Sequence, residues 1–176
     1  MLILHTPQNS VFYHQIHLQQ NVIMLAVGQK APDFKLFDTN KQEVSLSSFA
    51  GKQVVILFFP LAFTSVCTTE LCNIRDNYAA YGKLNAEVVG ISVDSLFTLG
   101  KFKEEQKLNF SLLSDFDATT AESYGALYDE FVLGMKRVSK RAAFVVGTDG
   151  NLKYVEVLAS AGDLPNFEAI QKALQA

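Results

Sequence analysis

The chain is poor in charge, and what charge it has is not basic. Of 176 residues only 19% are charged, with 15 Lys and Arg against 18 Asp and Glu, a net of -3. A nucleic-acid partner would need a basic patch. The densest cationic pairs, Lys136-Arg137 and Lys140-Arg141, form no long run, and Arg137 and Lys140 read as solvated loop charges. No stretch approaches the roughly 18 apolar residues of a membrane span, so no membrane partner is expected. The N-terminus Met1-Leu2-Ile3-Leu4 has neither a basic lead nor a sustained apolar core, so it does not read as a secretory signal. The expected location is therefore cytoplasmic. There are only two cysteines, Cys67 and Cys72, and in a reducing compartment such a pair is inert or redox-active rather than a permanent staple. The sequence also lacks a CxxC motif, a Gly-rich phosphate loop, internal repeats and any low-complexity linker.

What is present has the size and composition of one globular domain. The apolar share is 49%, enough for a proper core at this length. Residues 1–26 differ from the rest and read as an N-terminal extension, with Met24 as an alternative first residue; residues 27–176 read as the domain. The extension holds all three histidines, His5, His14 and His17. His14 and His17 could share a helix face, but a metal site needs three or four placed ligands, and no acid or thiol is close in sequence. Val11–Leu18 has the β-branched and aromatic content of an edge strand.

From there the pattern alternates. Short strands are expected at Phe34–Leu36 and Glu43–Leu46 around a turn, then a helical turn over Ser47–Lys52. The run Val54–Phe59 is a fully buried strand. A helix follows from about Ser65 to Tyr81, with Gly82 as its stop and Leu71, Ile74, Tyr78 and Tyr81 facing the core. Next come a strand at Glu87–Val93, a helix at Leu96–Leu108, a strand and turn at Ser111–Asp115 and a helix at Thr119–Ala126. Tyr128–Lys140 shows no clean period and reads as a loop. Strands Ala142–Val146 and Leu152–Leu158 flank the hairpin turn at Gly147–Asn151. A last helix starts at Leu164-Pro165-Asn166, with Pro165 in its first turn, and runs to Leu174. This order fits an α/β fold: a central mixed β-sheet flanked by helices, with right-handed crossovers.

The stretch from Val54 to Asp76 organises the chain. A strand feeds a turn through Pro60 and Thr64, and the turn feeds a helix with Cys67 in its first turn. Free N–H groups there attract negative charge and favour thiolate over thiol. A buried unreactive cysteine is the plainer alternative, but Thr64, Ser65, Thr68 and Thr69 make the flanks polar. Cys72 lies five residues on. In an intact helix that spacing means a rise of about 7.5 Å and a rotation of about 140°, beyond the roughly 7 Å Cα limit for a disulfide. The two can bridge only if the helix locally unwinds. Taken alone, Cys72 is equally a packing residue or a partner thiol.

The segment Pro60-Leu61-Ala62-Phe63-Thr64-Ser65-Val66-Cys67 resembles the peroxiredoxin signature Pro-x-x-x-Thr-x-x-Cys. Glu70 matches the acid that follows the reactive cysteine in that family, and Arg141, leading RAAFVV, matches its active-site arginine. The resemblance spans about Val27 to Leu174. The FFPLAFT and RDN flanks are most similar to the AhpE-like and bacterioferritin-comigratory (PrxQ-like) branches, and the five-residue cysteine spacing to the latter. The resemblance implies a thioredoxin-like fold and reduction of H2O2 or organic hydroperoxides, with no cofactor and no metal. It implies that Cys67 attacks the peroxide, that Arg141 and Thr64 assist, that Pro60 shields the sulfenic acid and that Glu70 orients an arginine. Cys72 would resolve the sulfenic acid as an intrachain disulfide, recycled by thioredoxin or a similar dithiol. A one-cysteine peroxidase with Cys72 structural, and a peroxide sensor relaying oxidation to a partner, use the same Cys67 chemistry. A thiol–disulfide oxidoreductase would carry CxxC. Arg75, in the RDN flank, belongs to the arginine network or is a helix-surface charge. Both monomers and homodimers occur in the family.

Overall fold

The structure, a computed structural model, describes residues 24–176. The three histidines and the candidate strand Val11–Leu18 lie outside the described residues.

In chain order the elements are β1 (Lys35–Asp38), β2 (Glu43–Ser45), a 3-10 turn at Leu46–Phe49, β3 (Gln53–Phe58), α1 (Ser65–Lys83), β4 (Ala86–Ser92), α2 (Leu96–Gln106), β5 (Ser111–Ser114), α3 (Thr119–Ser123), β6 (Leu127–Glu130), β7 (Lys136–Ser139), β8 (Ala142–Val146), β9 (Leu152–Val157) and α4 (Phe167–Gln175). Seven strands form one sheet in the order β2-β1-β5-β4-β3-β8-β9. The β3–β4 and β4–β5 pairs are parallel, and β8 joins β3 antiparallel, so the sheet is mixed.

The apolar run of β3 is explained by its position. It pairs on both sides and is covered on both faces. Val55, Leu57 and Phe59 face α1, α2 and α4 through Leu71, Ile74, Phe102 and Ile170. Val54, Ile56 and Phe58 face the opposite layer, with Phe34, Ala121 and Tyr124. This is the period-2 alternation of a strand buried on both sides. Close packing shows at Gly90, opposite Leu57 in the β3–β4 register. A Cβ there would lie 2.7 Å from Leu112 Cδ2 and 3.3 Å from a Phe59 ring carbon, so an alanine would force Leu112 aside.

Four expectations change. Tyr128–Lys140 is not a loop: β6 and β7 form an antiparallel ribbon around a 3-10 turn at Val132–Gly134. The exposed residues of its two strands are charged, and the Glu130–Lys136 ion pair links them, so no apolar alternation marks it. Gly82 does not end α1. The helix continues to Lys83, and the first left-handed residue after it is Asn85, φ 51°. Pro165 precedes the last helix rather than opening it, because Asn166 is the cap and its side chain accepts from Ala169 N. In addition, α3 stops at Ser123, short of Ala126.

Candidate active site

The turn after β3 is held from below. Ala62 N donates to Asp94 Oδ2 at 2.7 Å, and Ser92 Oγ donates to the same carboxylate at 2.8 Å. Ser114 Oγ donates to Asp94 O at 2.7 Å. The end of β4 thus fixes the turn through a buried serine and a carboxylate, neither of which the sequence reading singled out. Pro60 is buried at the start of this turn. Phe63 takes a left-handed conformation (φ 65°) that a bulky residue adopts only under constraint, and its ring packs edge-on against Phe102 at 5.0 Å.

Thr64 caps α1 with extended backbone, φ -81° and ψ 149°. Its hydroxyl donates to Leu61 O at 2.9 Å, and its carbonyl accepts from Thr68 N at 2.9 Å. The first turn, Ser65 to Thr68, therefore opens with N–H groups that no intrahelical carbonyl can reach. Cys67 lies in this turn and is 1% exposed.

Arg141 reaches the same point from the start of β8. It is buried and forks three ways: Nη1 to Glu70 Oε2, Nη2 to Cys67 Sγ at 3.4 Å, and Nη2 to Ala161 O at 2.8 Å. Glu70, one helical turn beyond Cys67, is fully buried. Burial pushes its carboxyl up from 4.5 to about 7, although Arg141 pulls the other way. For Arg141 burial alone would lower the pKa, but Glu70 and Cys67 outweigh it and raise it. Glu70 Oε1 and Arg141 Nε have no partner among the described residues.

A cavity of about 310 Å³ opens over the sulfur, with Pro60, Thr64, Cys67 and Arg141 in its wall. Phe131, Val132 and Met135, from the β6–β7 ribbon, close one side. These wall residues had no sequence signal, because the ribbon itself had none. A second cavity of about 260 Å³, lined by Phe49, Val54 and Val146, lies at the far end of β3 and holds no cysteine.

The structure brings Pro60, Thr64, Cys67, Glu70 and Arg141 together. It leaves Cys72 outside that cluster: Cys72 is half-buried, and its Sγ donates to Gln106 Oε1 at 3.7 Å. Arg75 also stays out. Its Nη1 donates to Gln106 O at 2.6 Å, and its Nε pairs with Asp76 at 2.8 Å. Arg137 pairs with Glu122 at the surface at 3.0 Å, and Lys140 Nζ sits 5.5 Å from the centre of the Tyr128 ring. No group of three or more His, Cys, Asp or Glu among the described residues could hold a metal ion. No helix among them is long and apolar enough to cross a membrane.

A helix-borne thiol beneath a buried arginine, on a mixed sheet with helices on both faces, defines a thiol-based redox protein of thioredoxin-like fold. Residues 27–155 match the AhpC/TSA family. The chain is 36% identical to the peroxiredoxin Bcp of Escherichia coli K12 over 132 residues, 74% of this chain and 85% of that protein. It is 36% identical to the Bcp of Bacillus subtilis 168 over 129 residues, 73% of this chain and 82% of that one. Among solved structures, peroxidoxin BcpB from Mycobacterium tuberculosis superimposes with a TM-score of 0.77 at 30% identity, covering 86% of this chain and 97% of that one. The chain belongs to the AhpC/TSA family, the peroxiredoxins, and is a thiol-dependent peroxidase.

Proposed function

We propose that Cys67 is the peroxidatic residue and that Cys72 resolves its sulfenic acid. The observation that carries the reading is the buried fork of Arg141, which donates to Cys67 Sγ and to Glu70 at once. Thiolate is the nucleophile. The Cys67 sulfur attacks one peroxide oxygen, an S–O bond forms and the O–O bond breaks. The departing oxygen takes a proton and leaves as water or alcohol. Sulfur loses two electrons and the peroxide gains them.

Arg141 offers positive charge to the attacking sulfur and to charge developing on the peroxide oxygens. The Thr64 hydroxyl gives its proton to Leu61 O, which leaves its oxygen free to accept from the peroxide O–H. Pro60 covers the thiol, and Glu70 fixes the plane of the guanidinium through a charge-assisted bond. Cys72 then condenses with the sulfenic acid, releasing water. An external dithiol, thioredoxin or one like it, reduces the disulfide. Residues 27–176 form the catalytic domain in this reading, and the reducing cytoplasm suits two free thiols.

The test uses H2O2 and mass spectrometry. Cys67→Ser is expected to reduce turnover to the uncatalysed background. In the wild type, one equivalent of H2O2 should remove two hydrogens, with the bond mapped to Cys67–Cys72. In Cys72→Ser the sulfenic acid should persist and pass on to sulfinic acid in excess peroxide. Wild-type turnover in Cys67→Ser would overturn the peroxidatic assignment. A persistent sulfenic acid or an interchain dimer in the wild type would overturn the resolving one.

A further inference from the structure

The two cysteines share α1 but not its contacts. The first turn, with Cys67, is tied to Arg141 at the start of β8. The second and third turns are tied to the C-terminal end of α2. Arg75 Nη1 donates to Gln106 O at 2.6 Å. That carbonyl is one of the last of α2, which no intrahelical N–H can reach, and it sits at the end of the helix that attracts cations. The chain turns away at Lys107, φ 53°, and Asn109 Nδ2 reaches back to Arg75 O at 3.3 Å. The seated Gln106 presents its amide oxygen to the Cys72 thiol at 3.7 Å.

We infer that Gln106, seated by Arg75, restrains Cys72 and sets the rate at which the sulfenic acid on Cys67 is resolved. The inference rests on the reading that Cys72 is the resolving cysteine. Resolution joins Cys67–SOH and Cys72–SH to give a disulfide and water: an S–S bond forms, the S–O bond breaks, and the thiol proton leaves with the oxygen. Two requirements follow, and the Gln106 contact opposes both. Cys72 must lose its proton to attack, yet an amide oxygen can accept only from the protonated thiol. Cys72 Sγ must also turn and travel to Cys67, since five helical residues set the pair about 7.5 Å apart along the axis and about 140° apart around it. Breaking the Sγ–Oε1 bond is therefore part of reaching the disulfide, whichever turn of α1 unwinds. Neither Gln106 nor Arg75 touches the Cys67, Glu70 and Arg141 cluster, so the restraint falls on the second chemical step alone. It sets how long the sulfenic acid persists, and hence its exposure to a second peroxide.

The test separates the two steps in the full chain by rapid quench after one equivalent of H2O2, reading sulfenic acid and mapped disulfide by mass. Three proteins are compared: wild type, Gln106→Met, which keeps the length and removes the amide oxygen, and Gln106→Glu, which keeps an acceptor. Sulfenic acid should form at the wild-type rate in all three. Disulfide formation in Gln106→Met should be faster by about three- to tenfold, the scale of one hydrogen bond lost from the ground state. Gln106→Glu should form it at or below the wild-type rate, because the carboxylate still accepts from the thiol and disfavours a thiolate beside it. Sulfinic acid in excess peroxide should fall in Gln106→Met. A wild type that forms the Cys67–Cys72 disulfide with Gln106→Met no faster, or with Gln106→Glu accelerated equally, overturns the restraint alone. A wild type that never forms that disulfide overturns the assignment of Cys72, and the restraint with it.

Discussion

The two ends of the first half of α1 treat the same functional group in opposite ways. At Cys67 the sulfur is buried and receives a hydrogen bond from a guanidinium that is itself paired to a buried carboxylate. At Cys72, five residues away, the sulfur is half-buried and is the donor, to a neutral amide. One sulfur accepts from a cation in a buried ion pair; the other donates to an amide oxygen at the edge of the core. The helix is continuous from Ser65 to Lys83 and offers free N–H groups only at the Cys67 end. The rest of the difference comes from what each turn meets: the start of β8 at one, the end of α2 at the other. Chemistry confined to Cys67 followed by a conformational step at Cys72 is what such a division supports.

The comparison breaks most sharply at Arg141. Arg141→Lys keeps a charge but cannot fork between Glu70, the sulfur and the Ala161 carbonyl. The second-order rate with H2O2 should fall about a hundredfold, the cost of one preorganised donor, while the accessibility of the Cys72 thiol stays unchanged. A fall of only a few-fold would mean that charge alone, without the fork, distinguishes the two sites.

Glu70 gives a subtler effect that depends on pH. Its carboxyl titrates at about 7 in the folded chain against 4.5 for an ordinary glutamate. The folded state therefore holds the proton more tightly, and the associated stability is full below 4.5 and is lost as pH rises through about 7. Glu70→Gln has no such titration. Denaturant unfolding across this range should show wild type losing stability relative to the variant as pH rises, by at most about 3 kcal/mol. The two proteins should be closest in stability at low pH, where both present a neutral side chain to Arg141. A constant difference between the two proteins across that range would show that Glu70 is ionised throughout.

Much of this site is readable from residues alone, for a physical reason. Val54 to Phe59 is apolar without a break because both faces of β3 are covered, and Pro60, Thr64 and Cys67 follow it within one short turn. An acid near the start of a helix is commonly a solvated charge, yet Glu70 sits three residues from Cys67 and four from Ile74, on the stripe that also carries Leu71. Helical spacing places it inward. What could not be read came from distant pairings. Asp94 supports the turn across 32 residues, and Gln106 meets Cys72 across 34. The β6–β7 ribbon was missed because Asp129, Glu130, Lys136 and Arg137 face outward and only its end at Val138 and Ser139 is buried. The wall it builds beside Cys67 was invisible with it.

The central claim is that peroxide oxidises one sulfur and not the other. Its most direct test is to trap sulfenic acid with dimedone within the first turnover of the fully reduced protein, and to map the adduct to peptides. The account predicts the adduct on Cys67, with Cys72 recovered as free thiol or as the partner in the disulfide. An adduct on Cys72, formed first or in equal amount, would contradict it.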